Sequence, residues 1–385
     1  MIFSLEALQA FNGDCLLLHG GTAADPKLVL IDGGPMRTWG KSLKPRFEEL
    51  RSERIADGDP LPVDLAMISH IDDDHIAGMV AFTEELVAQK AAHQPPSVTV
   101  QTLWHNSFDD IVGNSAEELR TLAVDAPAGD AIADATKAVM ASVPNGRTLR
   151  EHAQTLGWSI NDPFAALVAL PADGARKIKL GGMALTVLCP PAKQLAVLDK
   201  AWEAYLKKAA KKQEADQGAA PATAKPDTSP YNLSSIVVYA ECEGKTMLLT
   251  GDGLSDHIVS GMEQAGFMQD GKAHVNILKL PHHGSERNMT QAFFDAITAD
   301  HYVISANGHD GNPDLSTLQM IPASRQDDDF EIHLTNDAED DDSLEDLVTH
   351  VLAFRKERED SGREFKLSAR KDPALSLRID LLDGA

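Results

Sequence analysis

Histidine and aspartate residues are concentrated between Ser69 and His75, where the sequence is Ser-His-Ile-Asp-Asp-Asp-His. Such side chains are the ligands with which proteins hold hydrolytic divalent metals, leaving other positions on the metal open for water. The apolar run 63–69 predicts a buried strand, and 76–87 predicts a helix. The segment is therefore expected at the carboxyl end of a strand, where open α/β folds carry their chemistry.

The spacing inside this segment fits two metals. A tight turn can direct His70 and Asp72 towards one ion, and Asp74 and His75 towards another. The alternative is an acidic helix N-terminus, since carboxylates stabilise that end of a helix. That alternative explains the aspartates but leaves the flanking histidines unexplained, so we favour metal binding.

Two further predicted strands end in side chains of the same types. Asp252 follows the strand 246–250, and His282 and His283 follow the strand 274–280. Two metals about 3.5–4 Å apart can hold both the attacking and the leaving oxygen of a hydrolysis. A bridging carboxylate helps to hold such a pair, and Asp252 is placed for that role.

The chain resembles the metallo-β-lactamase superfamily, and most of all the soluble hydrolase domain of bacterial DNA-uptake channel proteins, the competence family. The matching segments keep that family's order over residues 1–320, and they are 12–17, 30–35, 69–78, 248–252 and 279–285. The resemblance implies an α/β (α+β) fold, namely the αββα four-layer sandwich of the superfamily. It also implies a metal-dependent hydrolase.

The resemblance further implies a role for each motif residue. The implied ligands are His70 and Asp72 for one metal, Asp74, His75 and His283 for the other, and Asp252 as the bridge. Two residues are also catalytic candidates. Asp74 would orient the nucleophile, and His282, the weaker ligand candidate of the histidine pair, would contact the substrate or donate a proton.

Two positions depart from the commonest superfamily pattern, which has histidine at both. Asp72 is an aspartate, as in the DNA-uptake branch, and the nearest candidate for the next expected ligand is Asn232. Oxygen ligands move the preference of a site away from zinc and towards manganese or magnesium. We therefore expect two divalent ions, with zinc and manganese both left open.

Polar residues after strand ends are candidates for substrate binding, and they are His105, Asn106, Ser285, His309 and Asn312. His105 is alternatively a substitute metal ligand or a hydrogen-bonded loop histidine. Ser285 does not lie in the Gly-x-Ser-x-Gly elbow of serine hydrolases, so no serine nucleophile is predicted.

The composition is that of an acidic protein with a large core. Hydrophobic residues make up 43% of the 385 residues. The net charge of -24 and the isoelectric point of about 4.9 repel nucleic acid at long range, because a basic surface normally supplies most of that binding. The expected substrate is a phosphate ester or another small molecule. Nucleic acid stays open as a partner, although no basic patch is evident.

Three cysteines, Cys15, Cys189 and Cys242, form no Cys-x-x-Cys pair, which argues against a thiolate metal site. A sparse, odd count fits a reducing compartment. The N-terminus lacks the pattern of a signal peptide, and no apolar run approaches the ~20 residues of a membrane span. We expect a cytoplasmic protein without membrane contact, and the sequence leaves its oligomeric state open.

One metallo-β-lactamase-like domain is expected to span residues 1–385. Its clearest interruption is 203–229, where Lys, Ala, Gly and Pro predict a flexible, linker-like insertion. Residues 323–385 are predicted to form a C-terminal extension that packs on the domain.

Three functional hypotheses follow. The leading one is phosphodiesterase or nuclease-like hydrolysis by a metal-activated water, and it rests on the resemblance. The second is hydrolysis of a small ester, lactone or amide, which the acidic surface suits. The third is a degenerate metal-binding regulatory module, indicated by Asp72 and Asn232. The membrane channel of the DNA-uptake proteins has no counterpart in this sequence, so a role in DNA import does not follow.

Overall fold

Two β-sheets lie face to face in the computed structural model. The structure describes residues 1–55, 58–107, 131–164, 166–192, 234–325, 329–362 and 366–384, and within 131–142 it describes only the helical backbone. Among these residues the first sheet consists of β1 (Ile2–Leu8), β2 (Leu16–Gly21), β3 (Pro26–Ile31), β4 (Leu61–Met67), β5 (Val98–Trp104), β6 (Ser159–Ile160) and β15 (Ser376–Asp383). Their order across the sheet is β15-β1-β2-β3-β4-β5-β6.

The second sheet holds the remaining described strands. They are β7 (Lys177–Leu180), β8 (Met183–Cys189), β9 (Val237–Cys242), β10 (Lys245–Leu249), β11 (Ala273–Lys279), β12 (Ile297–Ile304), β13 (Glu331–Leu334) and β14 (Lys366–Ala369). Their order is β14-β13-β12-β11-β10-β9-β8-β7. Strands β10 to β14 run parallel to one another, so their carboxyl ends meet at one edge.

Helices occupy the segments between the strands. The described helices are α1 (Lys44–Arg54), α2 (Asp73–Ala91), α3 (Ala131–Leu156), α4 (Ser255–Gln264), α5 (Gln291–Ala296), α6 (Leu315–Ala323) and α7 (Glu345–Ser361). A short helical turn, Met36–Thr38, and a π-helical stretch, Trp39–Leu43, lead into α1. None of the described helices combines the length and the apolar character that a membrane span requires.

Buried apolar side chains form three layers, because successive residues of a strand point to opposite faces of its sheet. On one outer face Leu30 of β3 packs in a cluster with Phe82 of α2. A second cluster packs the helices α4 to α7 on the other sheet. The third contains residues of both sheets, such as Leu5 and Met247. The predicted αββα sandwich is therefore confirmed.

Residues 323–385, predicted as a C-terminal extension, supply strands to both sheets. Strand β13 pairs with β12 and β14 with β13, which lengthens the second sheet. Strand β15 runs antiparallel to β1, with Ile2 opposite Asp383, and forms one edge of the first sheet. The predicted insertion at 203–229 lies outside the described residues.

Two glycines seat the N-terminal turn of α2 against the end of β3. A β-carbon on Gly78 would lie 1.9 Å from the carbonyl oxygen of Gly33. The backbone N–H of Gly33 donates to the carbonyl of His75 at 2.7 Å, and that of Gly78 donates to Gly34 at 2.8 Å. The backbone contact fixes the helix turn that carries Asp74 and His75.

Candidate metal centre

Three turns at the carboxyl ends of strands bring the predicted ligands together. His70 follows β4, and Asp74 and His75 open α2. Asp252 follows β10, and His283 lies in the 3-10 turn Pro281–Gly284 after β11. Within each of two groups the ligand atoms lie within 4.8 Å of one another, and the groups are His70, His75 and Asp252, and Asp74, His75 and His283.

The carboxylate of Asp252 lies at the centre of this cluster. Its Oδ1 is 3.3 Å from Nε2 of His75 and 3.9 Å from Nε2 of His283. Its Oδ2 is 3.5 Å from Nε2 of His70 and 3.7 Å from Nε2 of His282. Two ligand atoms that are each about 2.1 Å from one tetrahedral ion are about 3.4 Å apart, so these separations suit shared ions.

Several of these atoms are buried without a hydrogen-bond partner among the described residues. They are Nε2 of His70, His75 and His283 and Oδ1 of Asp252. Buried polar atoms are almost always paired, and an unpaired one costs about 1–3 kcal/mol. A divalent cation would supply the missing partner to all four, so the residues fit a metal.

Each of the three buried rings is oriented through its other nitrogen. Nδ1–H of His75 donates to Oδ2 of Asp32 at 2.9 Å, and Nδ1–H of His283 donates to the carbonyl of Ser305 at 2.9 Å. The hydroxyl of Ser69 donates to Asp32 at 2.7 Å and accepts from Nδ1 of His70 at 3.1 Å. These contacts leave Nε2, which faces Asp252, as the nitrogen that can bind a metal once it is deprotonated, and proteins commonly orient metal-binding histidines in this way.

A buried ion pair lies behind His283. Nζ of Lys279 is 2.8 Å from Oδ2 of Asp14, and both side chains are at most 1% exposed. The other oxygen of Asp14 is 3.5 Å from Nδ1 of His283. Burial opposes ionisation of Asp14, but the charges of Lys279 and of the neighbouring histidines His283 and His75 together outweigh burial and hold the pKa of Asp14 well below its ordinary value. The Asp14 carboxylate, held ionised by this pair, therefore presents a negative charge to the Nδ1 side of the His283 ring.

The carboxylates also set the protonation of the cluster. Burial lowers the pKa of His283, but the charges of Asp252 and Asp14 outweigh burial and raise this pKa to about 10. For His75, burial is likewise outweighed, and Asp252 and Asp32 raise its pKa well above the ordinary value. A bound ion must displace these protons, so metal binding here releases protons to solvent.

Not every predicted ligand lies in the buried cluster. The side chain of Asp72 is 33% exposed, and its Oδ2 is 3.5 Å from Nε2 of His70. Asn232 lies outside the described residues. The ring of His105 is buried near Ile71 and Gly146, and it belongs to neither of the two ligand groups among the described residues.

The other substrate-side candidates have contacts of different kinds. Both polar atoms of the Asn106 amide bond the backbone of Val168 at 2.8 Å, so this side chain braces a loop. Ser285 is buried, and its hydroxyl accepts a hydrogen bond from the backbone of Arg287 at 3.4 Å. His309 is exposed beside Asp310, whereas Asn312 is buried.

Four residues of the centre had no role in the sequence hypothesis: Asp14, Asp32, Lys279 and Asn288. Three of them lie inside the segments that carry the family resemblance, so a signal for them was present. Asn288 lies just beyond the last of these segments, and nothing in the sequence singles it out.

Residues 10–135 match the model of the metallo-β-lactamase superfamily. The two facing sheets and the ligands at their edge agree with that match. The chain has the metallo-β-lactamase fold. No curated protein matches the sequence.

Several solved structures resemble the chain at low identity. The metallo-β-lactamase fold protein YhfI from Bacillus subtilis is 10% identical with a TM-score of 0.40, and the match covers 99% of this chain and 100% of that chain. Zn(2+)-bound PqqB from Methylobacterium extorquens is 10% identical with a TM-score of 0.40, with 98% and 100% covered. CmlA, a diiron beta-hydroxylase from Streptomyces venezuelae, is 10% identical with a TM-score of 0.36, with 98% and 54% covered. The chemistry of this chain therefore has to follow from its own residues.

Proposed function

We propose that the protein is a metal-dependent hydrolase of phosphodiester bonds. One observation carries the proposal: both oxygens of the buried Asp252 carboxylate face imidazole nitrogens, and three of these nitrogens lack hydrogen-bond partners among the described residues. A carboxylate with imidazole nitrogens near both of its oxygens can bridge a pair of divalent ions.

The ligands divide into two half-sites that share Asp252. Asp74, His75 and His283 would hold one ion, and His70 and Asp72 would hold the other. When bound, two divalent ions would lower the pKa of a bound water and polarise a phosphoryl oxygen. Zinc and manganese are both candidates, because imidazoles suit zinc and the carboxylate Asp72 suits manganese.

The residues of the chain have their own tasks in this proposal. Asp32 and Ser305 hold the rings of His75 and His283, which keeps the half-site rigid. The carboxylate of Asp74 is 27% exposed, so it can also orient the attacking water. Water adds to phosphorus, the ester P–O bond breaks, and the leaving oxygen takes up a proton.

The phosphodiester specificity is supported by the resemblance of the motifs to the DNA-uptake hydrolases. A net charge of -24 favours a second candidate, hydrolysis of a small ester, lactone or amide, because such a surface repels polyanions. A third candidate, a regulatory metal-binding module, fits Asp72 and Asn232. Nucleic acid is one of the possible phosphodiester substrates. We also expect the protein to act in the cytoplasm.

Metal analysis of protein purified without chelator tests the proposal, followed by assays with zinc or manganese. The substrates are bis-para-nitrophenyl phosphate, para-nitrophenyl acetate, a lactone and single-stranded DNA. We expect bound metal and cleavage of the phosphodiester, lost in His75→Ala and His283→Ala and kept in His274→Ala, a control histidine that is 49% exposed. Turnover of the acetate or lactone alone would favour the second candidate. Bound metal without any turnover would favour the third.

A further inference from the structure

The ring of His282 faces the same Asp252 oxygen as the ring of His70. We infer that His282 is the third protein ligand of the His70 half-site and replaces the imidazole that the commonest superfamily pattern supplies from elsewhere in the chain. The inference rests on the proposed function, because it assigns a ligand within the same centre.

The distances divide the four imidazoles into two pairs. Oδ2 of Asp252 is 3.5 Å from Nε2 of His70 and 3.7 Å from Nε2 of His282. Oδ1 of Asp252 is 3.3 Å from Nε2 of His75 and 3.9 Å from Nε2 of His283. The separation for His282 falls between those of the other rings. With His282 included, each half-site receives two imidazoles, one further aspartate and one oxygen of the bridge.

The tautomer of His282 follows from its hydrogen bonds. The amide nitrogen of Asn288 donates to the carbonyl of Asp252 at 3.0 Å, which leaves its Oδ1 as an acceptor. Nδ1–H of His282 donates to that oxygen at 2.7 Å. In the neutral ring the hydrogen is therefore on Nδ1, and Nε2, which lies 3.7 Å from Oδ2 of Asp252, keeps its lone pair for a metal. A proton donor would need its hydrogen on Nε2, so the contact favours a ligand.

The backbone of the turn supports the same orientation. His282 and His283 have φ values of 45° and 54°, in the left-handed region that residues other than glycine rarely adopt. The N–H of His282 donates to the carbonyl of Gly251 at 3.1 Å, next to the bridging aspartate. Two consecutive left-handed residues direct neighbouring side chains to the two sides of one carboxylate. Such strain persists where surrounding contacts hold it, and it is typical of functional sites.

Cobalt(II) titration of the full chain tests this assignment, with bound metal counted after gel filtration and the hyperfine-shifted imidazole N–H resonances counted by proton NMR. For His282→Ala we expect loss of the metal in the His70 half-site and of the N–H signals of His282 and His70, while the signals of His75 and His283 remain. His274→Ala should match the wild type. His282→Asn provides a second variant, since asparagine tolerates a left-handed backbone but is too short to reach the ion.

Asn288→Ala tests the orientation separately. A residue that orients a metal-binding histidine through a hydrogen bond typically contributes about 10–100-fold to metal affinity. We therefore expect the affinity for the more weakly bound of the two cobalt ions to fall by roughly that factor. Unchanged stoichiometry, affinity and N–H signals in both His282 variants would overturn the inference while leaving the proposed function intact. A wild-type protein that binds no cobalt would instead contradict the proposed function itself.

Discussion

Oδ2 of Asp32 accepts a hydrogen bond from Nδ1 of His75 at 2.9 Å, although 43 positions separate the two residues in the chain. Asp32 also accepts from the backbone N–H and the hydroxyl of Ser69, both at 2.7 Å. It is 1% exposed and adopts a left-handed backbone with φ of 58°. One aspartate therefore orients His75 directly and His70 through Ser69.

Asp32→Asn should weaken metal binding without removing a ligand. The amide would turn an N–H group towards Nδ1 of His75, which disfavours the tautomer with a bare Nε2. We expect affinity for zinc to fall by about 10–100-fold, the usual effect of losing such a partner. Isothermal titration calorimetry with zinc measures this change. Asp25→Asn, at a surface residue that pairs with Lys27, serves as the matched control. Equal affinity in Asp32→Asn and the control would show that Asp32 does not tune the site.

The buried pair of Asp14 and Lys279 should contribute strongly to stability once one partner is removed. Lys279→Met leaves an unpaired carboxylate in the interior, and breaking such a pair typically costs about 3–5 kcal/mol. The double variant Asp14→Asn with Lys279→Met removes both charges, so it should recover part of the loss. Chemical denaturation with EDTA present measures both free energies of unfolding. A double variant no more stable than Lys279→Met would contradict this account.

The free energy of unfolding at acidic pH should depend on Glu6. Burial alone would raise its pKa, but hydrogen bonds from His19 and Arg46 outweigh burial and lower this pKa from 4.5 to about 2. The pKa of His19 is itself lowered, because burial lowers it more than Glu6 raises it. A group whose pKa is lower in the folded state stabilises the fold above its unfolded pKa.

The Glu6 contribution should thus be complete above pH 4.5 and be lost as the pH falls towards 2. A shift of this size corresponds to about 3 kcal/mol. Glu6→Gln should flatten the pH dependence of unfolding between these limits, as measured by denaturant titrations at several pH values. The exposed Glu49, which also bonds Arg46, provides the control Glu49→Gln. The same slope in Glu6→Gln and in the wild type would refute the assignment.

Gly78→Ala should disturb the packing of the N-terminal turn of α2 against the end of β3. Its β-carbon would lie 1.9 Å from the carbonyl oxygen of Gly33, so the backbone of one element must move. Overpacking of this kind typically costs about 1–3 kcal/mol, and the shift would also displace Asp74 and His75. Gly40→Ala is the matched control, because a β-carbon there meets nothing within 4 Å. We expect thermal unfolding to shift downwards in Gly78→Ala alone, and similar curves for the two variants would contradict the close packing.

The sequence by itself was sufficient to predict the fold and the histidines and aspartates that cluster at the candidate metal centre. The apolar run before His70 and the helical pattern after it predict a strand-to-helix turn, and β4 and α2 have that arrangement. The histidines and aspartates after β4, β10 and β11 meet because strands of one sandwich end at a common edge. Local pattern was sufficient there, since each motif lies within a few residues of the strand that positions it.

Only the tertiary structure decided how these side chains are oriented around Asp252. Asp14 meets Lys279 across the two sheets, and Asp32 meets His75 across two elements, so no local periodicity encodes either contact. The direction of the His282 ring depends on a left-handed backbone and on Asn288. Side-chain direction follows from backbone dihedrals and from partners that are distant in sequence. The sequence could therefore supply the residue types of the centre, while the division of four imidazoles between two carboxylate oxygens needed the folded chain.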